Sequence, residues 1–206
     1  MARGPAGRFL VLEGPDGSGK STQAARLVAW LVSRGREAVH LRDPGATRVG
    51  EKVREILLDP AHEELDPTAE ALLFMASRAQ LIAERIRPER ERGRIVVCER
   101  WLPSTVCYQG YAGGLSPEAI WKMGEFASGG LSPDLTLVLD VEPETGLSRV
   151  GDEPDLMEQR SLEFHRAVRD GYLRIAEEGR MNARLIRPGT LDEVERAIRE
   201  AVEDVL

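Results

Sequence analysis

A glycine-rich stretch near the N-terminus, LVLEGPDGSGKST, contains the spacing G-x-x-x-x-G-K-[ST] at Gly14, Gly19, Lys20 and Ser21. In such a loop the backbone N–H groups point inward at phosphate oxygens, and the following helix presents its positive end to the same anion. Lys20 adds a mobile charge, and Ser21 offers a hydroxyl to Mg²⁺. A dinucleotide-binding fingerprint fits less well, because no third glycine stands at the required offset. The loop predicted to hold nucleotide phosphates comprises Gly14, Pro15, Asp16, Gly17, Ser18, Gly19, Lys20, Ser21 and Thr22.

Three further stretches carry arginines, carboxylates and aromatic residues that could bind a second small molecule: Leu41–Asp59, Glu70–Leu81 and Cys98–Ser116. Each follows a predicted strand end or lines an adjoining helix. Together with the phosphate loop, their order and spacing resemble bacterial thymidylate kinases, which transfer a phosphoryl group from ATP to dTMP. The resemblance runs from about Phe9 to the C-terminus. It implies ATP as donor, dTMP as acceptor, Mg²⁺ as cofactor and a homodimer.

The resemblance also implies which residues bind the acceptor phosphate. The R-[ED]-P-G turn of the family appears here with Asp43, and Arg54 falls where an arginine receives the monophosphate. The D-R-Y motif appears with Arg100, which would grip the acceptor phosphate, and with Glu99, which together with Ser21 would lie near the metal and its waters. A dianionic phosphate requires such a fork of guanidinium donors.

Base recognition is implied by the family pattern L-L-F-x-A-x-R and by the Y-Q-G motif. Phe74 would stack on the thymine, and Arg78 would donate hydrogen bonds to one of its carbonyl groups. Gln109 would contact the edge of the base, and Thr105 carries a hydroxyl that faces it. An aromatic face and an aimed guanidinium are what a pyrimidine with exocyclic oxygens requires.

The same resemblance implies that two residues lie at the sugar. Tyr108 would close off the space of a ribose 2′-hydroxyl, and the Asp16 carboxylate would approach the 3′-hydroxyl.

Several of these assignments have a plainer structural alternative. Tyr108 could serve packing alone, Asp16 could satisfy backbone donors in a tight turn, and Phe74 could be ordinary core. Arg54 and Arg78 could form surface salt bridges.

The match to the family weakens in the segment predicted to form a lid over the phosphates, at about 146–160. This segment is short and acidic, its arginines are Arg149 and Arg160, and the phosphate loop contains no arginine. Because an arginine that stabilises a migrating phosphoryl group is worth roughly 10³ to 10⁵ in rate, we assign that role to Arg149, with pairing to nearby carboxylates as the alternative. Three smaller departures from the family pattern are Glu99 for Asp, Trp101 for Tyr and Pro103 for a polar residue. These departures keep two other hypotheses open, a kinase for another deoxynucleotide and a nucleotide-binding paralogue without transfer activity.

Apolar runs separated by helical stretches must position these residues. FLVLE, AVHLR, RIVVCE, LTLVLDV and ARLIR read as strands, and the absence of polar alternation in most of them indicates a parallel sheet buried on both faces. Helices are predicted after the phosphate loop as far as Gly35, at 49–58, from Thr68 to about Arg87 with Asp66 as its cap, and at the C-terminus. The predicted fold is α/β, of the P-loop NTP hydrolase type, with three layers and a central, mostly parallel five-stranded sheet. Ligands of such sheets bind at the carboxyl ends of the strands.

The length and composition favour a single domain after a flexible tail at 1–8, and the resemblance implies that this domain, 9–206, is a kinase domain. Acidic residues outnumber basic ones by 35 to 28, which disfavours nucleic acid and anionic membranes as partners. The sequence has no apolar run of membrane-spanning length and no signal-peptide pattern, so we expect a cytoplasmic protein. Cys98 and Cys107 are expected in the core, and the three histidines show no ligand or triad spacing.

Overall fold

A computed structural model describes residues 7–62, 65–151 and 154–206, in which five strands form one sheet. The strands lie in the order β2-β3-β1-β4-β5, and every neighbouring pair is parallel. The predicted three-layer α/β fold is therefore confirmed, and the sheet is parallel throughout. The strands are β1 at Phe9–Glu13, β2 at Ala38–Arg42, β3 at Ile95–Glu99, β4 at Leu135–Leu139 and β5 at Ala183–Ile186.

Helices connect the strands and cover the sheet. Within the described ranges no helix is both long and apolar enough to cross a bilayer. Two π-helical segments occur, Ile82–Ile86 after α3 and Val106–Ala112 after α5. The α-helices are α1 at Lys20–Ser33, α2 at Arg48–Leu58, α3 at Pro67–Leu81, α4 at Arg87–Glu91, α5 at Leu102–Thr105, α6 at Pro117–Ser128, α7 at Pro143–Leu147, α8 at Leu162–Glu177 and α9 at Leu191–Glu203.

The core lies on both faces of the sheet, which explains the unbroken apolar runs. Along β1, Phe9 and Val11 belong to one buried cluster, whereas Leu10 and Leu12 belong to the cluster on the opposite face. Successive side chains of a strand point to opposite faces, so a strand covered on both sides carries no polar alternation. The predicted core cysteines, Cys98 and Cys107, are both fully buried as free thiols.

Two predicted helices differ from the structure in extent. Asp66 caps α3 by accepting hydrogen bonds from the backbone of Thr68 and Ala69, as predicted, but the α-helical part ends at Leu81 and the π-helical segment precedes α4. The apolar spacing that predicts a continuous helix does not reveal such a change of winding. At the C-terminus, α9 buries Ile198 and Val202, and the helix ends before Val205.

The strand register brings the carboxyl ends of three strands into one row. Leu12 of β1 is paired with Glu99 of β3, and Glu99 is paired with Arg42 of β2. The loops that leave these strands begin side by side, so residues far apart in sequence meet above one edge of the sheet. This edge is where ligands of parallel α/β sheets bind.

The N-terminal residues that the structure describes are attached to the sheet. The Gly7 N–H donates to the carbonyl oxygen of Arg90 over 2.8 Å, and Arg8 forms an ion pair with Asp134 over 3.2 Å. Residues 1–6 of the predicted tail lie outside the described residues, as do 152–153 of the predicted lid.

Candidate active site

A cavity of about 520 Å³ lies at the carboxyl ends of β1, β2 and β3. It is open to solvent and combines the phosphate loop with the strand-end and helix residues that the sequence singled out. Of the predicted site residues, those that line it are Asp16, Gly17, Gly19, Lys20, Ser21, Thr22, Asp43, Arg54, Phe74, Arg78, Glu99, Arg100, Thr105, Tyr108, Gln109 and Arg149. Gly14, Pro15 and Ser18 lie behind this surface in the loop, where each accepts a hydrogen bond from Lys20.

The phosphate loop depends on glycine at its tightest positions. Gly17 has φ of 68°, and a Cβ atom there would come within 2.0 Å of the carbonyl oxygen of Gly146 on α7. Gly19 has φ of 90° at the N-cap of α1. A side chain is disfavoured at such left-handed φ angles, so glycine at these positions lets the loop curl in front of the helix N-terminus.

Lys20 is held inside the loop by backbone oxygens. Its Nζ donates to the carbonyl oxygens of Gly14 and Pro15 over 3.0 and 2.7 Å. Burial, together with the nearby positive charge of Arg100, lowers the pKa of Lys20 to about 7. In the ligand-free protein the ammonium group therefore lacks sufficient negative charge around it, and phosphate oxygens would supply that charge.

Oxygen donors suited to a hard cation meet at the end of β3. The Ser21 hydroxyl donates to Oε2 of Glu99 over 2.5 Å, and the His40 ring nitrogen Nε2 lies 2.7 Å from Oε1 of the same carboxylate. Burial raises the pKa of Glu99, but the hydrogen bonds from His40 and Ser21 outweigh burial and lower it. An ionised carboxylate beside a hydroxyl fits Mg²⁺, which prefers oxygen ligands and keeps several waters. No pattern in the sequence indicated the contact between His40 and Glu99.

Three guanidinium groups line the cavity opposite or beside the phosphate loop. Arg42, Arg54 and Arg100 approach it from β2, α2 and the end of β3. Burial lowers the pKa of Arg54, and the charges of Arg42 and Arg100 lower it further. Cations that repel one another around an open space are stabilised by an anion between them. Arg42, which the sequence placed only in a turn motif, is part of this group.

Arg100 is positioned by a buried polar network that the sequence analysis missed. Its backbone has φ of 63°, and its Nη1 donates to Ser104 Oγ over 3.2 Å and to Tyr172 OH over 3.3 Å. Both hydroxyls contact the carboxylate of Glu13, which also accepts the backbone N–H of Trp101 over 2.7 Å. Glu13 is the one charged residue of the apolar run FLVLE, a signal that marks it in the sequence. Tyr172 on α8 has no comparable signal.

Asp16 and Tyr108 form a pair beside Arg100. The Tyr108 hydroxyl donates to Asp16 Oδ2 over 2.6 Å, and Asp16 also forms an ion pair with Arg100. Burial raises the pKa of Asp16, but Arg100 and Lys20 outweigh burial and lower it. Asp16 is thus an ionised acceptor in the cavity, bound to side chains rather than closing the turn of its own loop.

Arg78 is fixed in the interior of the protein, which excludes the surface-salt-bridge alternative. It is 1% exposed, and its Nε donates to Asp43 Oδ2 over 2.7 Å while its Nη2 donates to Thr105 Oγ1 over 3.0 Å. The guanidinium also lies over the ring of Trp101, 5.3 Å from its centroid. Burial raises the pKa of Asp43 even though this ion pair opposes it. Phe74, half-buried and one turn before Arg78 on α3, lines the cavity beside them.

Gln109 contacts a carboxylate that the sequence analysis did not single out. Its Nε2 donates to Glu70 Oε2 over 3.1 Å, whereas its Oε1 is buried and has no hydrogen-bond partner among the described residues. Glu70 is only 4% exposed, and its other oxygen lies 3.4 Å from Nη2 of Arg160.

Arg149 reaches the phosphate loop from the segment after α7. Its Nη1 donates to the carbonyl oxygen of Gly17 over 3.1 Å, and within the described ranges it forms no ion pair with a carboxylate. The same segment contributes Asp155 and Glu158 to the lining of the cavity. An arginine therefore lies at the phosphate loop even though the loop itself contains none.

Comparison with known proteins relates this arrangement to one family. The family model described as thymidylate kinase matches residues 12–198. A thymidylate kinase of Symbiobacterium thermophilum is 42% identical over 200 residues, which cover 96% of this chain and 94% of that protein. One of Deinococcus radiodurans is 47% identical over 172 residues, covering 82% and 83%. The crystal structure of thymidylate kinase from Ehrlichia chaffeensis superposes with a TM-score of 0.80 at 29% identity, over 97% of this chain and 99% of that one.

Proposed function

The chain belongs to the thymidylate kinase family and phosphorylates dTMP to dTDP, and we propose that it does so with ATP on the phosphate loop and dTMP against the facing arginines. The observation that carries this arrangement is the position of two cations at one backbone oxygen. Lys20 Nζ and Arg100 Nη1 both donate to the carbonyl of Gly14, over 3.0 and 3.4 Å. Anions bound to these two cations are brought end to end.

Catalysis then consists of positioning and charge neutralisation. An oxygen of the dTMP phosphate is already anionic, so it attacks the γ-phosphorus of ATP without a general base, and the bond from that phosphorus to the bridging oxygen of ADP breaks. Lys20 neutralises charge on the donor, and Arg54 and Arg100 align the acceptor. Arg149, already in contact with Gly17, stabilises the migrating group between them.

Ser21 and Glu99 are the residues that would hold Mg²⁺, Ser21 by its hydroxyl and Glu99 through water. A Mg²⁺ ion held there would supply positive charge that neutralises part of the charge on the phosphates. His40 keeps the Glu99 carboxylate oriented by its contact with Oε1, so that Oε2 faces Ser21.

The dTMP base is proposed to stack on Phe74, with Arg78 as donor to a carbonyl oxygen and with Thr105 and Gln109 at its edge. Of the five N–H groups of Arg78, only some are used by the protein contacts described above, so donors remain for the base. Tyr108 and Asp16 are proposed to face the sugar. Asp43 contributes indirectly because it fixes the guanidinium of Arg78.

We also propose a single kinase domain at 9–206 with a lid at 146–160, a homodimer, and a cytoplasmic location, where ATP and dTMP meet. The homodimer is supported by exposed apolar side chains on three helices that pack side by side, α2 on α3 and α3 on α6. Exposed apolar groups that cluster mark an interaction surface. These side chains are Val49, Ile56, Leu72 and Phe126.

A coupled assay with MgATP and a panel of nucleoside monophosphates tests the proposed arrangement. We expect turnover of dTMP, and a loss of about 10² to 10³ in kcat for Lys20→Ala because donor charge is left uncompensated. Lys52→Ala, at an exposed lysine paired with Glu55, is the matched control and should leave kcat unchanged. Turnover of another acceptor in preference to dTMP, or near-normal kcat for Lys20→Ala, would contradict the proposal.

A further inference from the structure

Two helical segments lie on opposite sides of the proposed base site. Glu70, Phe74 and Arg78 are spaced by four along α3 and share one face, and Thr105 and Gln109 share a face on the opposite segment. Two side-chain hydrogen bonds connect these segments. Arg78 Nη2 donates to Thr105 Oγ1 over 3.0 Å at one end, and Gln109 Nε2 donates to Glu70 Oε2 over 3.1 Å at the other. Phe74 lies on α3 between these ends.

The second contact dictates the orientation of the Gln109 amide. A carboxylate only accepts hydrogen bonds, so the NH₂ group of Gln109 must face Glu70 and its carbonyl oxygen must face away. That oxygen, Oε1, is buried without a partner among the described residues, although Gln109 lines the cavity. A buried acceptor without a donor is unfavourable, so the arrangement is completed by a ligand that donates an N–H there.

The position of the Glu70 carboxyl is itself fixed by its surroundings. It lies in the first turn of α3, where the positive end of the helix favours an anion, and Arg160 approaches its Oε1 to 3.4 Å. Burial raises the pKa of this carboxyl above its ordinary value, and the hydrogen bond from Gln109 and the charge of Arg160 oppose that rise only in part. The proposed reaction assigns no task to Glu70, which is not among the residues that line the cavity.

We propose that Glu70 is a specificity-determining residue, which fixes the amide of Gln109 so that Oε1 accepts the N3–H of a pyrimidine. This inference rests on the proposed placement of the base. Thymine and uracil carry a donor at N3 and an acceptor at O4, matching Gln109 Oε1 and the guanidinium of Arg78. Cytosine carries an acceptor at N3 and a donor amine at C4, so both contacts are reversed and leave buried polar groups unpaired.

Glu70→Gln tests the proposal because glutamine both donates and accepts, which allows the Gln109 amide to turn over. We expect the ratio of kcat/KM for dCMP to that for dTMP to rise about tenfold or more, with KM for ATP unchanged. The matched control is Glu89→Gln, at a buried carboxylate of α4 that pairs with Arg92 and Arg94 and does not line the cavity. It should leave the ratio at the wild-type value. An unchanged ratio in a folded Glu70→Gln protein that still phosphorylates dTMP would overturn the inference and leave the proposed function intact.

Two further measurements do not depend on the folding of that variant. The wild-type protein should bind N3-methyl-dTMP at least about tenfold more weakly than dTMP, because the methyl group removes the donor. Equal binding of the two nucleotides would overturn the inference. In a Gln109→Leu background, Glu70→Gln should not change the dCMP to dTMP ratio further, since there is no amide left to orient. A full additive effect in that background would assign Glu70 a role independent of Gln109 and would likewise overturn it. Absence of any dTMP turnover by the wild-type protein would instead contradict the proposed function.

Discussion

The single residue Lys20 illustrates why the phosphate loop favours binding of an anion. Burial and Arg100 lower its pKa to about 7, so the ammonium form is less favoured here than for a lysine in water. A bound triphosphate favours that form and raises the pKa again. Binding of ATP is therefore linked to the protonation of this side chain.

The linkage predicts proton uptake with a defined sign. At pH 8 roughly nine-tenths of Lys20 is neutral before binding, so MgATP binding should take up a proton; at pH 6 the lysine is already charged and should take up almost none. Calorimetry in two buffers of different ionisation enthalpy measures the number of protons. Lys20→Arg should abolish the uptake at pH 8 because arginine stays charged, whereas Lys52→Arg should retain it. Equal proton numbers for wild type and Lys20→Arg would disprove the linkage.

Residues whose partners are close in sequence were the ones that sequence patterns predicted well. The loop from Gly14 to Thr22 and the cap at Asp66 are local, and the structure has the predicted loop geometry and cap. Glu70 and Glu13 were not predicted because their partners, Gln109 and Tyr172, lie 39 and 159 residues away. No local pattern encodes a hydrogen bond over such a separation.

At the scale of elements, the phosphate loop and α7 form one unit. The backbone of Gly17 packs against Gly146 so closely that no Cβ fits between them, and Arg149 three residues later donates to the Gly17 carbonyl. The segment after α7 therefore positions its arginine against a fixed point on the loop. This contact is how a short acidic segment places a cation at the phosphate loop.

Arg149→Ala should therefore lower kcat by about 10³ while changing KM for dTMP little, because the guanidinium acts mainly on the migrating group. Steady-state kinetics with varied ATP and dTMP measures both constants. Arg166→Ala is the control from the same region, since Arg166 forms an exposed ion pair with Glu144 and does not line the cavity. A wild-type kcat for Arg149→Ala would mean that this arginine only pairs with its surroundings.

Across the protein as a whole, α2, α3 and α6 together expose several apolar side chains on their outer surface. Leu72 is 54% exposed and Phe126 is 91% exposed, on helices that pack against each other. The net charge of −7 indicates that charged groups are abundant on the protein, so a group of exposed apolar side chains contrasts with its surroundings. A second copy of the chain is the partner that we propose for them.

Substitutions that introduce negative charges on this surface should dissociate the proposed dimer. Leu72→Glu combined with Phe126→Glu should convert a dimer into a monomer, because burying unpaired carboxylates in an apolar contact is strongly unfavourable. Sedimentation equilibrium over a range of concentrations measures the change. Val32→Glu provides the control, since Val32 is 56% exposed on α1, on the other side of the sheet from the cluster that α3 covers. A monomeric wild-type protein would refute the proposed homodimer.

The parallel sheet, the phosphate loop and the family could all be predicted from the amino-acid order, because buried strands, glycine turns and motif order are patterns of nearby residues. Only the tertiary structure decided that Glu70 orients Gln109, that Glu13 supports the network around Arg100, and that the pKa of Lys20 falls to about 7. These properties arise from burial and from charges that distant segments bring together, and neither burial depth nor side-chain orientation is encoded in local spacing.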